Sequence, residues 1–196
     1  MRQLRPAIVM TLVLCILTGV VYPGVVTGLA QLVFPRQANG SLVVVNGRVV
    51  GSALIGQAFT RPEYFHPRPS AAGNGYDATA SGGTNKGPTD RKLADTLIAG
   101  AVATAVRDDG AVRGKIPADM VTSSGSGLDP DISPANAYLQ VARVARARGI
   151  DSTAVRALVD RHVIGRQFGF FGEPRVNVLL LNVALDGMMR PIGTRP

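Results

Sequence analysis

The stretch Ala7-Ile-Val-Met-Thr-Leu-Val-Leu-Cys-Ile-Leu-Thr-Gly-Val-Val-Tyr-Pro-Gly-Val-Val-Thr-Gly-Leu-Ala30 decides how the chain is organised. It lies inside 30 residues, Pro6 to Pro35, that carry no charged side chain. About 20 apolar residues cross a ~30 Å hydrocarbon core as a helix. Lipid imposes that helix, because it offers no partner to backbone amides and carbonyls. The run predicts one transmembrane helix over residues 7–30, with Pro23 as a candidate kink. Arg2 and Arg5 join the amino terminus on the short side, whereas Arg36 stands alone on the far side until Arg48. Positive flanks stay in the cytoplasm. The expected layout is therefore a cytoplasmic stub and membrane helix over residues 1–35, then an extracytoplasmic domain over residues 36–196. The competing reading is a secreted periplasmic binding or hydrolytic protein cleaved after Ala30, since Gly28 and Ala30 make a small-x-small site. The uncharged run far exceeds the 7–15 residues of a signal core, which favours an uncleaved anchor.

Within the helix, Gly24 and Gly28 form a G-x-x-x-G, and Thr11, Cys15 and Gly19 recur at i, i+4. Small residues let helix backbones approach closely in lipid, although glycine is also simply common in membrane helices.

The chain has 196 residues with 21 basic and 13 acidic side chains, net +8, and only 17% charged residues. Soluble domains carry about 25%. Removing Arg2 and Arg5 leaves 19 basic and 13 acidic groups, or +6, on the outer domain. The single cysteine excludes a disulfide framework and a thiolate zinc site. The two histidines, His66 and His162, lie too far apart for a histidine-rich metal cluster.

The outer domain reads as mixed α/β, with a small sheet and about three helices. Ser41-Leu-Val-Val-Val45 and Arg48-Val-Val50 flank Asn46-Gly47, the pair preferred in a type I′ hairpin turn. Ala53 to Ala58 is a candidate extension of that sheet. Residues 60–90 are rich in Pro, Gly, Ser and Asn but interleave Tyr64, Phe65 and Tyr76. Linkers lack aromatics, so this is an ordered loop, and long ordered loops tend to be functional. Apolar residues at helical spacing predict a helix over about 90–107, with Gly110 past its end. A second polar loop covers residues 121–134. Ser133 before Pro134 is a helix start, running to Arg148 and stopping at Gly149. Asp151 caps another helix through Val163. Val176 to Leu181 reads as a buried strand.

Little of this supports catalysis. Gly51-Ser-Ala-Leu-Ile-Gly56 has P-loop spacing, but Gln57 stands where the phosphate-binding lysine belongs. No Asp-Lys-Thr-Gly phosphorylation sequence occurs. Gly125-Ser126-Gly127 is not a nucleophile elbow, and no S-x-x-K exists. Asp129 and Asp131 lack the further ligands a calcium-like cation demands, and turn or capping roles suit them better. His66 is open to two readings: a docking or gating residue, or a histidine hydrogen-bonded inside a rigid Pro-rich loop. Arg143, Arg146 and Arg148 predict a solvated basic face, with anionic headgroups or an acidic partner next. An outward domain without tryptophan makes nucleic acid an unsuitable partner.

Several long motifs then occur in order along the whole chain: Leu4-Arg-Pro-Ala7, Gln37-Ala-Asn-Gly-Ser-Leu42, Gly51–Gln57, Tyr64–Ser70, Ser81–Pro88, Ser124–Pro130 with Ile132–Pro134, and Gly172–Val178 with Leu181-Asn182. Together they resemble the KdpC family of the Kdp potassium-transporting ATPases. Thr84, Lys86 and Asp131 depart from the usual pattern, so these three are not given catalytic roles. The resemblance implies an accessory, non-hydrolysing subunit of an ATP-driven potassium pump in the bacterial inner membrane. Its partners would be a potassium-channel-like subunit, a P-type ATPase subunit and a small membrane peptide. No cofactor is expected to bind tightly; ATP and potassium are handled by the complex. The family is also credited with raising the pump's ATP affinity, which would make Gln57 an ATP-related residue. The expected outward orientation opposes that, because ATP is cytoplasmic, and favours docking over the channel-like subunit. The resemblance offers Tyr64, Phe65, His66, Arg68, Asn85, Ser126, Asp129, Glu173, Arg175 and Asn177 as partner-docking candidates.

Overall fold

The computed structural model describes residues 2–188. The chain divides after Val43 into two compact units.

The first unit is dominated by one helix, Leu4–Val33, of 30 residues and mean hydropathy 2.3. It is long and apolar enough to cross a membrane, and none of its most apolar window is buried inside the protein. It consists of α1 (Leu4–Ile16), a widened π-helical turn (Leu17–Val21) and α2 (Tyr22–Val33). In the widened turn the Tyr22 N–H donates to the Leu17 carbonyl, five residues back. Pro23 follows directly. A proline has no N–H to give and crowds the carbonyl four residues back, and a widened turn relieves that conflict. The candidate kink is thus an altered hydrogen-bond ladder. Phe34 (φ −133°, ψ 55°) ends α2, and the short α3 (Pro35–Ala38) follows.

Next along the chain comes the hairpin of β1 (Leu42–Val45) and β2 (Arg48–Ser52). Asn46 and Gly47 have φ of +52° and +74°, the double left-handed signature of the expected type I′ turn. Ala53–Ala58 does not extend the sheet. The Ser52 hydroxyl accepts from the Leu54 N–H at 3.1 Å, turning the chain, and the Gly56 N–H donates to Leu128 O at 2.8 Å instead of to a strand.

A π-helical segment, Lys92–Ile98, leads into α4 (Ala99–Asp109). Asp90 caps its start through the Leu93 N–H, and Gly110 (φ +68°) ends it. After the one-turn α5 (Ala118–Val121) come β3 (Asp131–Ile132), α6 (Pro134–Arg148), α7 (Ser152–His162), β4 (Val163–Ile164), β5 (Arg175–Asn177) and α8 (Val178–Met188). The Ser133 hydroxyl accepts from Asn136 N–H and the Asp151 carboxylate from Thr153 N–H, so both expected helix starts are present. Strands β3, β5 and β4 form a small antiparallel sheet in that order. Ile132 and Val163 both pair with Val176.

The strand expected over Val176–Leu181 stops at Asn177. The Asn177 side chain accepts from the Leu180 N–H at 3.1 Å, the geometry of a helix cap, and the leucines that follow are good helix formers. α8 is therefore an additional helix. Its Val178, Leu181 and Leu185 join Ile132, Val141, Val144, Val155, Leu158, Val159, Val176 and Phe65 in one apolar core.

Candidate functional site

The Tyr64–Phe65–His66 segment is held like a strand by two amide side chains. Asn182 on α8 accepts from Phe65 N–H at 2.9 Å and donates to Phe65 O at 3.0 Å. Gln140 on α6 does the same to His66, at 2.7 and 3.0 Å. Asn136, one turn earlier, accepts from the Gln140 amide at 2.8 Å. All three side chains are buried, and buried amides persist where their partners are satisfied.

Arg143 completes this grip. Its side chain is only 5% exposed and pairs with Asp109, 4% exposed, at 2.7 Å. The same guanidinium donates to Pro62 O, Tyr64 O and the Gln140 amide oxygen at 2.6, 2.9 and 2.6 Å. Arg148 donates to Glu63 O and Asp186, both at 2.7 Å, with its guanidinium 4.8 Å from the Tyr64 ring centre. The expected solvated basic face is therefore not formed. Arg143 is interior, Arg148 is committed to the loop, and Arg146 alone of the three is exposed. Spacings of three and five do not place three side chains on one outward stripe.

His66 is engaged within its own Pro-rich loop. A ring nitrogen of His66 lies 3.0 Å from Arg61 O and 3.4 Å from Arg143. Burial, then the Arg143 charge, push its pKa below the usual histidine value, which keeps it neutral near pH 7.

The motif-rich loops interlock. Ser70 Oγ donates to Gly127 O at 2.6 Å, Gly82 N–H to Ser126 O at 2.9 Å, and Ser81 Oγ to Ser126 O at 3.0 Å. Arg68 pairs with Asp129 at 2.8 Å and reaches the carbonyls of Thr122 and Ser123. The Tyr76 hydroxyl donates to Arg68 O, and burial raises its pKa above the usual tyrosine value. Gly127 is required: its φ is +68°, and a Cβ there would lie 2.6 Å from Gly82 O and 2.7 Å from Ala72 N. Beside the interlock, residues 83–87 and 123–125 line an open hollow of about 480 Å³. Asn85 (φ +53°) and Ser126 are exposed on these loops.

The sheet end ties in the remaining motifs. Asn177 donates to Ala53 O at 2.9 Å and to Asp131 at 3.2 Å, and Arg175 pairs with Asp131 at 3.0 Å. Burial raises the Asp131 pKa, against the pull of Arg175. Asp129 and Asp131 therefore both face arginines. Asp129 also accepts from the Asp131 N–H at 3.0 Å, the turn role expected of it. Among the described residues no group of three or more His, Cys, Asp or Glu could hold a metal ion.

The ten docking candidates thus fall in different places. Phe65 and Asn177 are buried and act inside the fold. Arg68, Asn85, Ser126 and Asp129 lie together on the interlock, whereas Glu173 is exposed and pairs with Arg166 at 2.7 Å. Gln57 packs over Gly51 and donates to Val50 O at 3.2 Å. It lines a cavity of about 330 Å³ with Val45, Val50, Phe59, Leu179 and Asp186 among its walls. Among the described residues no cationic side chain lines that cavity, so it offers a phosphate no charge-assisted donor.

Sequence reasoning missed Gln140, Asn182 as a backbone clamp, the Arg143–Asp109 pair, and Asp119. The Asp119 carboxylate accepts from Ser133 N–H, Ser133 Oγ and Asn136 Nδ2 at 2.8, 2.8 and 3.0 Å. A signal existed: Asn136, Gln140 and Arg143 recur at i, i+4, i+7 between residues of an apolar helix face, spacing that buries them together.

Loops locked to one another on a small α/β domain, in a chain with one long apolar helix, define the class: a helix-bearing domain that presents a preformed surface. The chain matches the family of the K+-transporting ATPase, c chain (KdpC), over residues 4–187. It is 64% identical over 189 residues to the potassium-transporting ATPase KdpC subunit of Gemmatimonas aurantiaca, covering 96% of this chain and 94% of that one. The KdpC subunits of Koribacter versatilis and Rhodospirillum rubrum are 55% and 56% identical, each across 95% of this chain. The chain belongs to the KdpC family and is a subunit of the potassium-transporting Kdp complex.

Proposed function

We propose that this chain is the accessory, non-hydrolysing subunit of the pump. The Leu4–Val33 helix anchors it in the inner membrane with its amino terminus in the cytoplasm. The domain then stands outside, docked over the potassium-selecting, channel-like subunit, and stabilises the assembly with the P-type ATPase subunit and the small membrane peptide. ATP and potassium are handled by those partners. The alternative of a protein released after Ala30 is disfavoured by the length of the uncharged run, 30 residues from Pro6 to Pro35, against the 7–15 residues of a signal core.

The interlock carries this reading. Loops Ser70, Gly82, Ser126 and Gly127 are fastened to each other rather than left free, and a surface fixed before binding loses less conformational entropy when a partner arrives. The Gln57 cavity, lined by Asp186 and by no cationic side chain among the described residues, suits a nucleotide poorly. A cation funnel would be acidic, and the domain is +6 with Asp129 and Asp131 already paired, which supports an architectural role over ion guidance.

The test is co-purification in mild detergent. The full chain should recover both large membrane subunits, and Gly127→Val should lose them while still inserting in the membrane. Recovery undiminished by Gly127→Val would reject the interlock as the docking surface. Protease treatment of spheroplasts should digest the domain; full protection would reject the orientation.

A further inference from the structure

The turn between β4 and β5 exposes three phenylalanines within four residues. Phe168, Phe170 and Phe171 are 88%, 65% and 57% exposed. Their arrangement is ordered. Gln167 and Phe171 exchange two backbone hydrogen bonds, both 2.9 Å, and Arg166 pairs with Glu173 across the base. The Phe170 and Phe171 rings lie 4.3 Å apart, centre to centre. Phe168 sits at φ +53°, a conformation that is unfavourable for a bulky residue and that marks functional sites when it persists. Exposed turns are ordinarily built from Gly, Asn, Asp, Ser and Pro, so three aromatic rings at this tip have no explanation in the fold itself.

We propose that the Phe168–Phe171 turn inserts into the headgroup–acyl boundary of an anionic bilayer. This rests on the reading of Leu4–Val33 as a membrane anchor. Two observations point to lipid as the occupant. Residues 168–171 hold three exposed rings and a glycine with no polar side chain among them, and a fluid apolar layer takes up such rings without needing a matching groove. The domain carries +6, with the exposed Arg161 close in sequence to the turn, so anionic headgroups complement it. The rings contribute apolar burial and the domain's net positive charge contributes attraction to the surface, the two-part signal that holds interfacial segments on membranes.

The chain has no tryptophan, so one introduced indole reports alone. The full-length chain carrying Phe170→Trp is reconstituted in vesicles of phosphatidylglycerol and phosphatidylcholine and floated on a density gradient. Emission is then compared between brominated and unbrominated acyl chains. The expected result is flotation, a blue-shifted emission, and loss of intensity with brominated lipid that grows with phosphatidylglycerol content. Phe168→Trp is the second probe, in case the first disturbs the ring pair, and should behave alike. Val112→Trp, on an exposed loop, should stay red-shifted and unquenched. If the chain floats but the indoles of Phe168→Trp and Phe170→Trp are both unquenched, the proposal is overturned and the anchor stands. The proposal also falls if the shift arises only when the other pump subunits are added, which would make the turn a protein contact. A chain that fails to float removes the anchor and the proposal with it.

Discussion

Replacing Arg143 by Met tests the grip on the Tyr64–His66 segment most directly. The substitution keeps much of the aliphatic volume but removes the guanidinium, which pairs with buried Asp109 and donates to Pro62 O, Tyr64 O and Gln140. Asp109 is then left as an uncompensated buried charge, and two loop carbonyls lose their donor. Breaking a buried pair from one side destabilises by about 3–5 kcal/mol. At about 2–4 °C per kcal/mol for a chain of this size, the melting temperature should fall by roughly 6–20 °C. The assay is thermal unfolding of the full chain in mild detergent, followed by the near-ultraviolet circular dichroism of its aromatic side chains. Asp109→Leu should be similarly harmful alone. The double variant should recover much of the loss, because an apolar pair leaves no orphan charge. A shift below about 2 °C for Arg143→Met, or a double variant as unstable as the two singles combined, would refute the account.

Asn182→Ala should lose about 2–4 kcal/mol, because it orphans both the N–H and the C=O of buried Phe65; urea titration read by pulse proteolysis measures it. Gly127→Ala should open the interlock, at about 1–3 kcal/mol from left-handed strain and close contacts, and speed cleavage within residues 66–90. Gly125→Ala, whose Cβ would meet nothing within 4 Å, should change that rate little. His66 has a depressed pKa, so below its unfolded value of 6.5 the unfolded chain binds the extra proton first. Stability should be full well above pH 6.5 and fall as pH drops from there through the lower folded value; His66→Gln should flatten that slope. Gln57→Ala should leave the ATP dependence of the assembled pump unchanged, as measured by hydrolysis rate against ATP concentration.

Much of the fold was legible because local chemistry decided it. Asn46-Gly47, Ser133-Pro134, Asp151, Gly110 and Gly149 each act on the backbone next to them, and each does in the structure what its residue type dictates. The long apolar run needed only its length and missing charges. Apolar runs without a readable period were the misleading ones. Val176–Leu181 looks like a strand along the chain, but Asn177 caps a helix there, and Ala53–Ala58 looks like a strand until Ser52 turns it. Arginine on a helix reads as solvated by default, and only the distant Asp109 and the carbonyls at 62 and 64 draw Arg143 inward. The candidate site was legible as motifs but not as a place. Nothing along the chain says that Ser70 meets Gly127 or that Ser81 meets Ser126, since those partners are more than 40 residues apart.

The π-helical turn in the N-terminal helix changes what its small residues can do together. Each i, i+4 step, Thr11 to Cys15 and Cys15 to Gly19, advances about 40° around a helix of 3.6 residues per turn. In an unbroken helix the five-residue step to Gly24 would swing about 140°, placing the Gly24–Gly28 pair on a different side from the first three. The widened turn at Leu17–Val21, which contains Gly19, absorbs one residue, so the whole swing from Cys15 to Gly24 shrinks from about 180° to about 80°. Five small side chains then trace one slowly winding furrow along the rod. A neighbouring helix would meet a single continuous seam rather than two disconnected notches.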